Sequence, residues 1–266
     1  MPSSTAGPAI AIAATGRADR SRLDILGAAV DLCTKQEALL RCERALAAGA
    51  AAEPVQIVTL NPEMVMQARR NVELGEVLEA AELVVPDGAG VAWAARRMGT
   101  PLPERIPGVE LLVDICSLAA RRGWSVYLLG ASPGVAEQAA AQLQYLCAGL
   151  LVAGCASGSY SEADAPATVT AIRASGARLI AVAFGVPHQD LWLGRHLTDT
   201  GCAVGIGVGG SLDYLSGRVR RAPLFLRRLG LEWSFRLLRQ PWRLPRMVRG
   251  APFFLLVWQQ SRKVKD

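Results

Sequence analysis

The chain has 266 residues, 51% of them hydrophobic, and a net charge of +6 at neutral pH, enough for one large α/β domain with an appendage. No window reaches the about 18 to 20 uninterrupted apolar residues of a spanning helix, and no charged leader precedes an apolar run at the N-terminus, which argues against a cleaved signal peptide. Cys33, Cys42, Cys116, Cys147, Cys155 and Cys202 are scattered without a CxxC pair, the pattern of buried thiols in a reducing cytoplasm rather than of a zinc site.

The charge is unevenly placed. Residues 217–266 carry 13 Arg and Lys against two acids, Glu232 and Asp266, a balance of +11. The rest carries 16 basic and 21 acidic groups, a balance of −5. A basic tail on a mildly acidic body points to a polyanionic partner surface.

In chain order, residues 1–21 read as disordered, 22–217 as an α/β body and 218–266 as a basic amphipathic appendage. Residues 23–32 read as a strand or hairpin edge. Thr34 with Glu37 is a capping-box signature for a helix to about residue 48. Short apolar β-type runs follow at 55–60, 83–86, 124–130, 150–153, 179–184 and 202–206. Helical patterns lie between them at about 62–80, 88–98, 108–122, 134–147, 163–175 and 187–198. Continuous apolar strands separated by amphipathic helices predict a Rossmann-like, mostly parallel sheet covered by helices on both faces. In such sheets ligands bind beyond the carboxyl ends of the strands.

The residues just after each strand are therefore where chemistry is expected. Thr59 and Asn61 flank the end of the 55–60 strand, as helix caps or as polar groups at the crevice. Asp87 follows the 83–86 strand and precedes two glycines; it is either a turn residue or a general base with room for a ligand. Gly130 opens the loop Gly130-Ala131-Ser132-Pro133-Gly134, which can present backbone N–H groups to a phosphate. After the 179–184 run come Gly185, His188 and Gln189; Gln189 can point into the crevice, whereas His188 suits a solvated first helical turn. His196 has no evident partner. Gly209 lies in the glycine-rich turn after the last strand, and Asp213 behind it can accept from ribose hydroxyls. Arg105, on a loop before a helix, is either idle or a bidentate diphosphate ligand.

Taken in order, TLNPEMV, PDGAGV, RIPGVEL, LLGASPGVAE, FGVPHQD, GVGGSLDYLSGRVRRAP and GLEW resemble the WecG/TagA/CpsF family, glycosyltransferase family 26, over about residues 23–250. The resemblance implies an inverting, metal-independent transfer of a sugar from a UDP-sugar to a polyprenyl-diphosphate-linked saccharide in bacterial surface polysaccharide synthesis. It needs no cofactor, and the chain has neither a DxD triplet nor a ligand-spaced His cluster. By motif match, Asp87 is the base, Thr59 and Asn61 stand near the reacting sugar, and Arg105 serves the diphosphate. Gln189 and Asp213 match donor-binding positions, with Gly130, Gly185 and Gly209 alongside them. Arg236, Arg243 and Arg246 match tail arginines that reach the active site.

The resemblance also places the enzyme on the inner face of the cytoplasmic membrane through the tail. There Leu, Phe and Trp interleave with Arg as in an interfacial helix, with Trp233 and Trp242 at headgroup depth. Phe253, Phe254 and Trp258 extend this apolar character beyond Arg249. Exposed apolar area makes a homo-oligomer plausible. One departure is Gln240 before Pro241, where family members often carry Glu. Two other classes fit less well. A dinucleotide-dependent oxidoreductase requires GxGxxG after the first strand, which is absent. A nucleic-acid-binding protein explains the basic tail but leaves the ordered strand-end groups idle, so no nucleic acid is expected as partner.

Overall fold

The computed structural model describes residues 21–263. Of the stretch 1–21 expected to be disordered, residues 1–20 lie outside the described residues. A two-stranded antiparallel hairpin, β1 (Arg22–Ile25) and β2 (Ala28–Asp31), precedes helix α1 (Lys35–Ala48). Helix α1 starts with the anticipated capping box: Thr34 Oγ1 accepts from Glu37 N–H while Glu37 reaches back to Thr34 N–H. The buried Asp31 carboxylate pins the hairpin to the body, accepting from Arg22, Arg41 and the Val84 N–H.

Next come β3 (Val55–Leu60), α2 (Pro62–Ala68), α3 (Val72–Ala80), β4 (Leu83–Pro86), α4 (Ala89–Arg97), α5 (Gly108–Arg122) and β5 (Ser125–Gly130). The single helix expected over 62–80 is two helices. Asn71 is extended and caps a new start by accepting the Leu74 N–H at 3.0 Å, so a local side-chain bond replaces the continuing helical ladder. The chain continues through α6 (Val135–Leu146), β6 (Leu151–Ala156), α7 (Ala165–Ser175), β7 (Leu179–Ala183), α8 (His188–Thr200), β8 (Val204–Gly207) and α9 (Ser211–Leu215).

Strands β3 to β8 form one six-stranded parallel sheet in the order β4-β3-β8-β7-β5-β6. Period-two alternation sends Ile57, Leu83, Val85, Leu128 and Ile206 to the face covered by α1, α5, α6 and α9. Val58, Leu60 and Val84 face α2, α3 and α4, and Leu129, Ile180 and Val182 face α7 and α8. Both faces of the inner strands are therefore buried, as their apolar character required, while the edge strand β6 is only partly covered. All six carboxyl ends point the same way, and the β3–β8 pairing joins the β4-β3 arm to β8-β7-β5-β6.

The tail contains α10 (Leu224–Arg228), α11 (Glu232–Arg239), α12 (Leu244–Gly250) and α13 (Pro252–Lys263). Among the described residues no helix is long and apolar enough to cross a membrane. Helix α13 lies on α2 and α4, with Phe253 and Val257 fully buried among Met64, Val65 and Val91. Phe253 is thus core rather than a membrane-facing residue. Gly90 lets α4 approach α2: a Cβ there would lie 2.5 Å from Pro62 Cγ, whereas Phe254 of α13 stands at ordinary contact distance, 3.5 Å. Helix α11, by contrast, buries no residue, and Leu238 (82%), Trp242 (71%) and Trp233 (54%) stand in the open.

Candidate active site

The carboxyl ends of β4, β3, β8 and β7 bring most of the anticipated residues to one end of the sheet. Thr59, near the end of β3, is buried and donates its hydroxyl to the Gly207 carbonyl at 3.0 Å, tying β3 to β8. It also packs on Gly108, where a Cβ would lie 3.0 Å from Thr59 Cγ2. Asn61 is the N-cap of α2, its Oδ1 accepting the Met64 N–H at 3.0 Å. The capping reading of Asn61 therefore holds for its oxygen, and the cap fixes the side chain at the strand end.

Asp87 follows β4, and its own N–H continues the ladder to the Leu60 carbonyl. The loop carrying Arg105 is drawn over it: Ile106 N–H donates to the Pro86 carbonyl, and Gly108 N–H donates to Asp87 Oδ1 at 2.9 Å. Desolvation is the largest influence on this carboxyl and lifts it from 3.8 to about 6. The Gly108 N–H opposes that lift, Glu232 adds to it, and the charges of Arg105 and Arg221 pull the value back down. A carboxylate poised just below neutrality can take a proton from a hydroxyl at physiological pH.

Arg105 turns towards the tail, donating to the Arg227 carbonyl at 3.3 Å. Around it lies an ion network that no motif in the sequence announces. Arg221 bridges Glu232 at 3.0 Å and Glu110 at 2.9 Å, and Arg227 reaches the same Glu110 oxygen at 3.5 Å. Glu110 sits in the first turn of α5 and Glu232 in the first turn of α11, so the network moors the start of the tail beside Asp87. Its arginines are visible in the sequence as a charge cluster; their pairing with these two acids is not.

At the end of β8 the glycine-rich turn is held from two sides. Gly209 N–H donates to Gln189 Oε1 at 2.7 Å, and Gln189 itself is buried. From the tail, the Arg236 guanidinium lies against Gly210, where any Cβ would collide with it, and over the Tyr214 ring at 4.8 Å. Arg236 Nε donates to Gln240 Oε1 at 3.2 Å, so the residue standing where a carboxylate was anticipated is a neutral partner. Asp213 lies in the first turn of α9, directly behind this glycine turn.

Gly130 and Gly185 lie at and just beyond the carboxyl ends of β5 and β7. Gly130 has φ +103°, and a Cβ on it would sit 2.8 Å from the Ala183 carbonyl carbon, so its first use is close passage of β5 past the end of β7. Gly185, at φ +79°, borders open space, and its carbonyl accepts the Gln189 N–H. The side chains of Arg243 and Arg246 lie outside the described residues. His188 stacks on Tyr160 with ring centroids 3.9 Å apart, and His196 meets Glu162 at 3.1 Å, a partner the sequence did not reveal. Among the described residues no group of three or more His, Cys, Asp or Glu side chains converges as metal ligands would.

Comparison with known proteins matches this arrangement to a class. Residues 23–266 match the family model of the glycosyl transferase WecG/TagA/CpsF family. The N-acetylglucosaminyldiphosphoundecaprenol N-acetyl-beta-D-mannosaminyltransferase of Bacillus spizizenii is 33% identical over 206 residues, 77% of this chain and 79% of the relative. The protein of the same name from Staphylococcus aureus (strain MW2) is 31% identical over 250 residues, 94% of this chain and 97% of the relative. That of Bacillus subtilis is 32% identical over 211 residues, 79% of this chain and 81% of the relative. The chain is a glycosyltransferase. It belongs to the WecG/TagA/CpsF family, as its ordered motifs suggested.

Proposed function

We propose that this enzyme moves a sugar from a UDP-sugar to a polyprenyl-diphosphate-linked saccharide, with inversion and without a metal, at the inner face of the cytoplasmic membrane. The observation that carries the reading is the poise of Asp87, a desolvated carboxyl at about 6, set among arginines supplied by both the body and the tail. Asp87 takes the proton of the acceptor hydroxyl as its oxygen attacks the anomeric carbon. The bond from that carbon to the β-phosphate oxygen breaks, and the departing diphosphate gathers negative charge. Arg105, turned towards the tail, and Arg236, against Gly210, neutralise that charge in this reading, with Arg243 and Arg246 as further candidates from the same tail. Thr59 and Asn61 border the reacting sugar. Gln189, Asp213, Gly130, Gly185 and Gly209 hold the donor side.

The relatives' shared name supports N-acetylmannosaminyl as the first sugar to test and an N-acetylglucosaminyl-diphosphate lipid as the first acceptor. It also specifies a β-linked product, which from the usual α-linked nucleotide sugar requires inversion. The exposed Trp233, Leu238 and Trp242 on a basic tail support attachment to an anionic lipid surface without a span. The deciding experiment is transfer in detergent from UDP-N-acetylmannosamine and a panel of other UDP-sugars, with excess EDTA. Transfer that survives EDTA and disappears in Asp87→Asn is the expected result. Loss of transfer on chelation overturns the metal-free mechanism, and absence of transfer from every UDP-sugar overturns the donor class.

A further inference from the structure

Two helices that pack on each other share an outward face that the chemistry above leaves unused. Trp93 of α4 is 37% exposed, although it meets Phe254 of α13 edge to face with ring centroids 5.1 Å apart. Phe254 and Trp258 lie four residues apart and so are neighbours on one side of α13, with Leu255 beside them. These three are 45%, 36% and 58% exposed, while Phe253 and Val257 on the other side are buried in the core.

The polar part of this face is wholly basic. Arg96 and Arg97 close α4, and Arg262 lies over the Trp258 ring at 3.6 Å. Neither helix contains an acid, and the chain has none from 88 to 103 or from 233 to 265. Two open hollows border the aromatic ridge. One, of about 330 Å³, is lined by Trp93, Arg96, Arg97 and Gly99. In the other, of about 630 Å³, Trp258 stands with Arg262 and Arg69. Each hollow sets an indole beside two arginines.

That chemistry selects the occupant. Indoles favour the boundary between acyl chains and headgroups, and guanidinium groups bind phosphate oxygens. Leu255 gains by leaving water for acyl chains, whereas a polynucleotide offers it no aliphatic layer. A second copy of the chain seated on the same face would set Arg96, Arg97 and Arg262 against their own images, with no carboxylate between them.

We propose that the α4–α13 face is a second contact with an anionic lipid surface, through which the body itself, and not the tail alone, grips the bilayer. Trp93 and Trp258 take headgroup depth, Phe254 and Leu255 the acyl boundary, and the arginines the lipid phosphates. The inference rests on the membrane attachment proposed above and extends it to residues of the body. Helix α4 starts two residues after Asp87, and Trp93 stands about 6 Å along its axis, so lipid held there sets the height of the base above the bilayer.

The test is sedimentation of the full chain with vesicles of phosphatidylglycerol and phosphatidylcholine. Wild type is compared with Arg96→Gln/Arg97→Gln and with the tail variant Trp233→Ser/Trp242→Ser. The arginine variant should bind about 30-fold more weakly, about fivefold for each charge, with the unfolding midpoint and the turnover in detergent unchanged. Vesicles with brominated acyl chains should quench less total emission from Trp93→Phe, which keeps a ring against Phe254, than from the wild type. An arginine variant that binds as the wild type does, beside a tail variant that binds less, overturns the inference and leaves attachment to the tail alone. Equal loss of emission from Trp93→Phe and the wild type also overturns it. A wild type that ignores anionic vesicles defeats the membrane reading and this inference together. A lipid-free wild type that is dimeric by ultracentrifugation, and monomeric in Trp93→Ser, would assign the face to a second copy and overturn the lipid contact.

Discussion

Replacing Asp87 with Asn should silence the enzyme and at the same time make it more stable. The folded carboxyl sits at about 6 against an ordinary 3.8, so between those values the folded chain holds a proton that the unfolded chain has released. Wild-type stability therefore falls as pH rises from about 4 to about 6, and the penalty is fully developed at pH 7. At about 1.36 kcal/mol per unit, the shift corresponds to an upper bound of about 3 kcal/mol. Asp87 is only partly enclosed and Asn can still accept the Gly108 N–H, so a gain of about 1–3 kcal/mol at pH 7 is expected. Urea denaturation of both proteins at pH 4, 5, 6 and 7.5 measures it. The curves should converge near pH 4 and separate above it. Turnover should drop by about 10²–10⁴. A variant less stable than wild type at pH 7, with an unchanged pH dependence, would refute the desolvation argument. Near-normal turnover would refute the base. Removing the neighbouring charge with Glu232→Gln should move the acid limb of the wild-type rate profile to lower pH, since Glu232 raises Asp87.

The remaining expectations concern the tail. Gly210→Ala should displace the Arg236 guanidinium and raise the donor KM about tenfold, and adding Arg236→Ala should cost nothing further, which a double-mutant cycle in KM checks. Phe253→Ala should cost about 3–5 kcal/mol by denaturation and expose the tail to protease, because its ring is wholly enclosed between α2 and α4. Leu238→Ser and Trp242→Ser should leave the unfolding midpoint unchanged and each weaken sedimentation with anionic vesicles about tenfold, since withdrawing either side chain from water into lipid is worth about 1.5 kcal/mol. Unchanged vesicle binding would place the attachment elsewhere.

The parallel sheet was legible because the strands are short, mainly apolar runs and the helices between them amphipathic, and the capping box marked the start of α1 directly. The strand-end rule likewise picks out Thr59, Asn61, Asp87, Gln189 and Gly209, which the fold places at the carboxyl end of the sheet. What sequence could not carry was pairing across long separations. Asn71 looks like one more polar residue on a helix, although its cap divides α2 from α3. Phe253 looks like a lipid-facing aromatic because nothing in its own neighbourhood announces the apolar surface of α2 and α4 that receives α13. The Arg221 bridge to Glu110 joins residues 111 positions apart, and Asp190 reads as an ordinary helix-start acid until its enclosure is seen.

Helix α13 is also grasped by the N-terminal hairpin: Leu26 N–H donates to Gln260 Oε1 at 3.1 Å, and Gln260 Nε2 donates to Asp24 at 3.3 Å. The basic segment is thus a strap buckled at both ends, by Arg221 at one and by α13 at the other. A leash fixed at one point would let the body tumble beneath whatever surface it gripped. A strap fixed at two points cannot swivel, so adhesion through its exposed side would set the angle at which the crevice mouth meets that surface. A lipid-borne acceptor diffusing in the plane would then encounter the mouth in one fixed attitude.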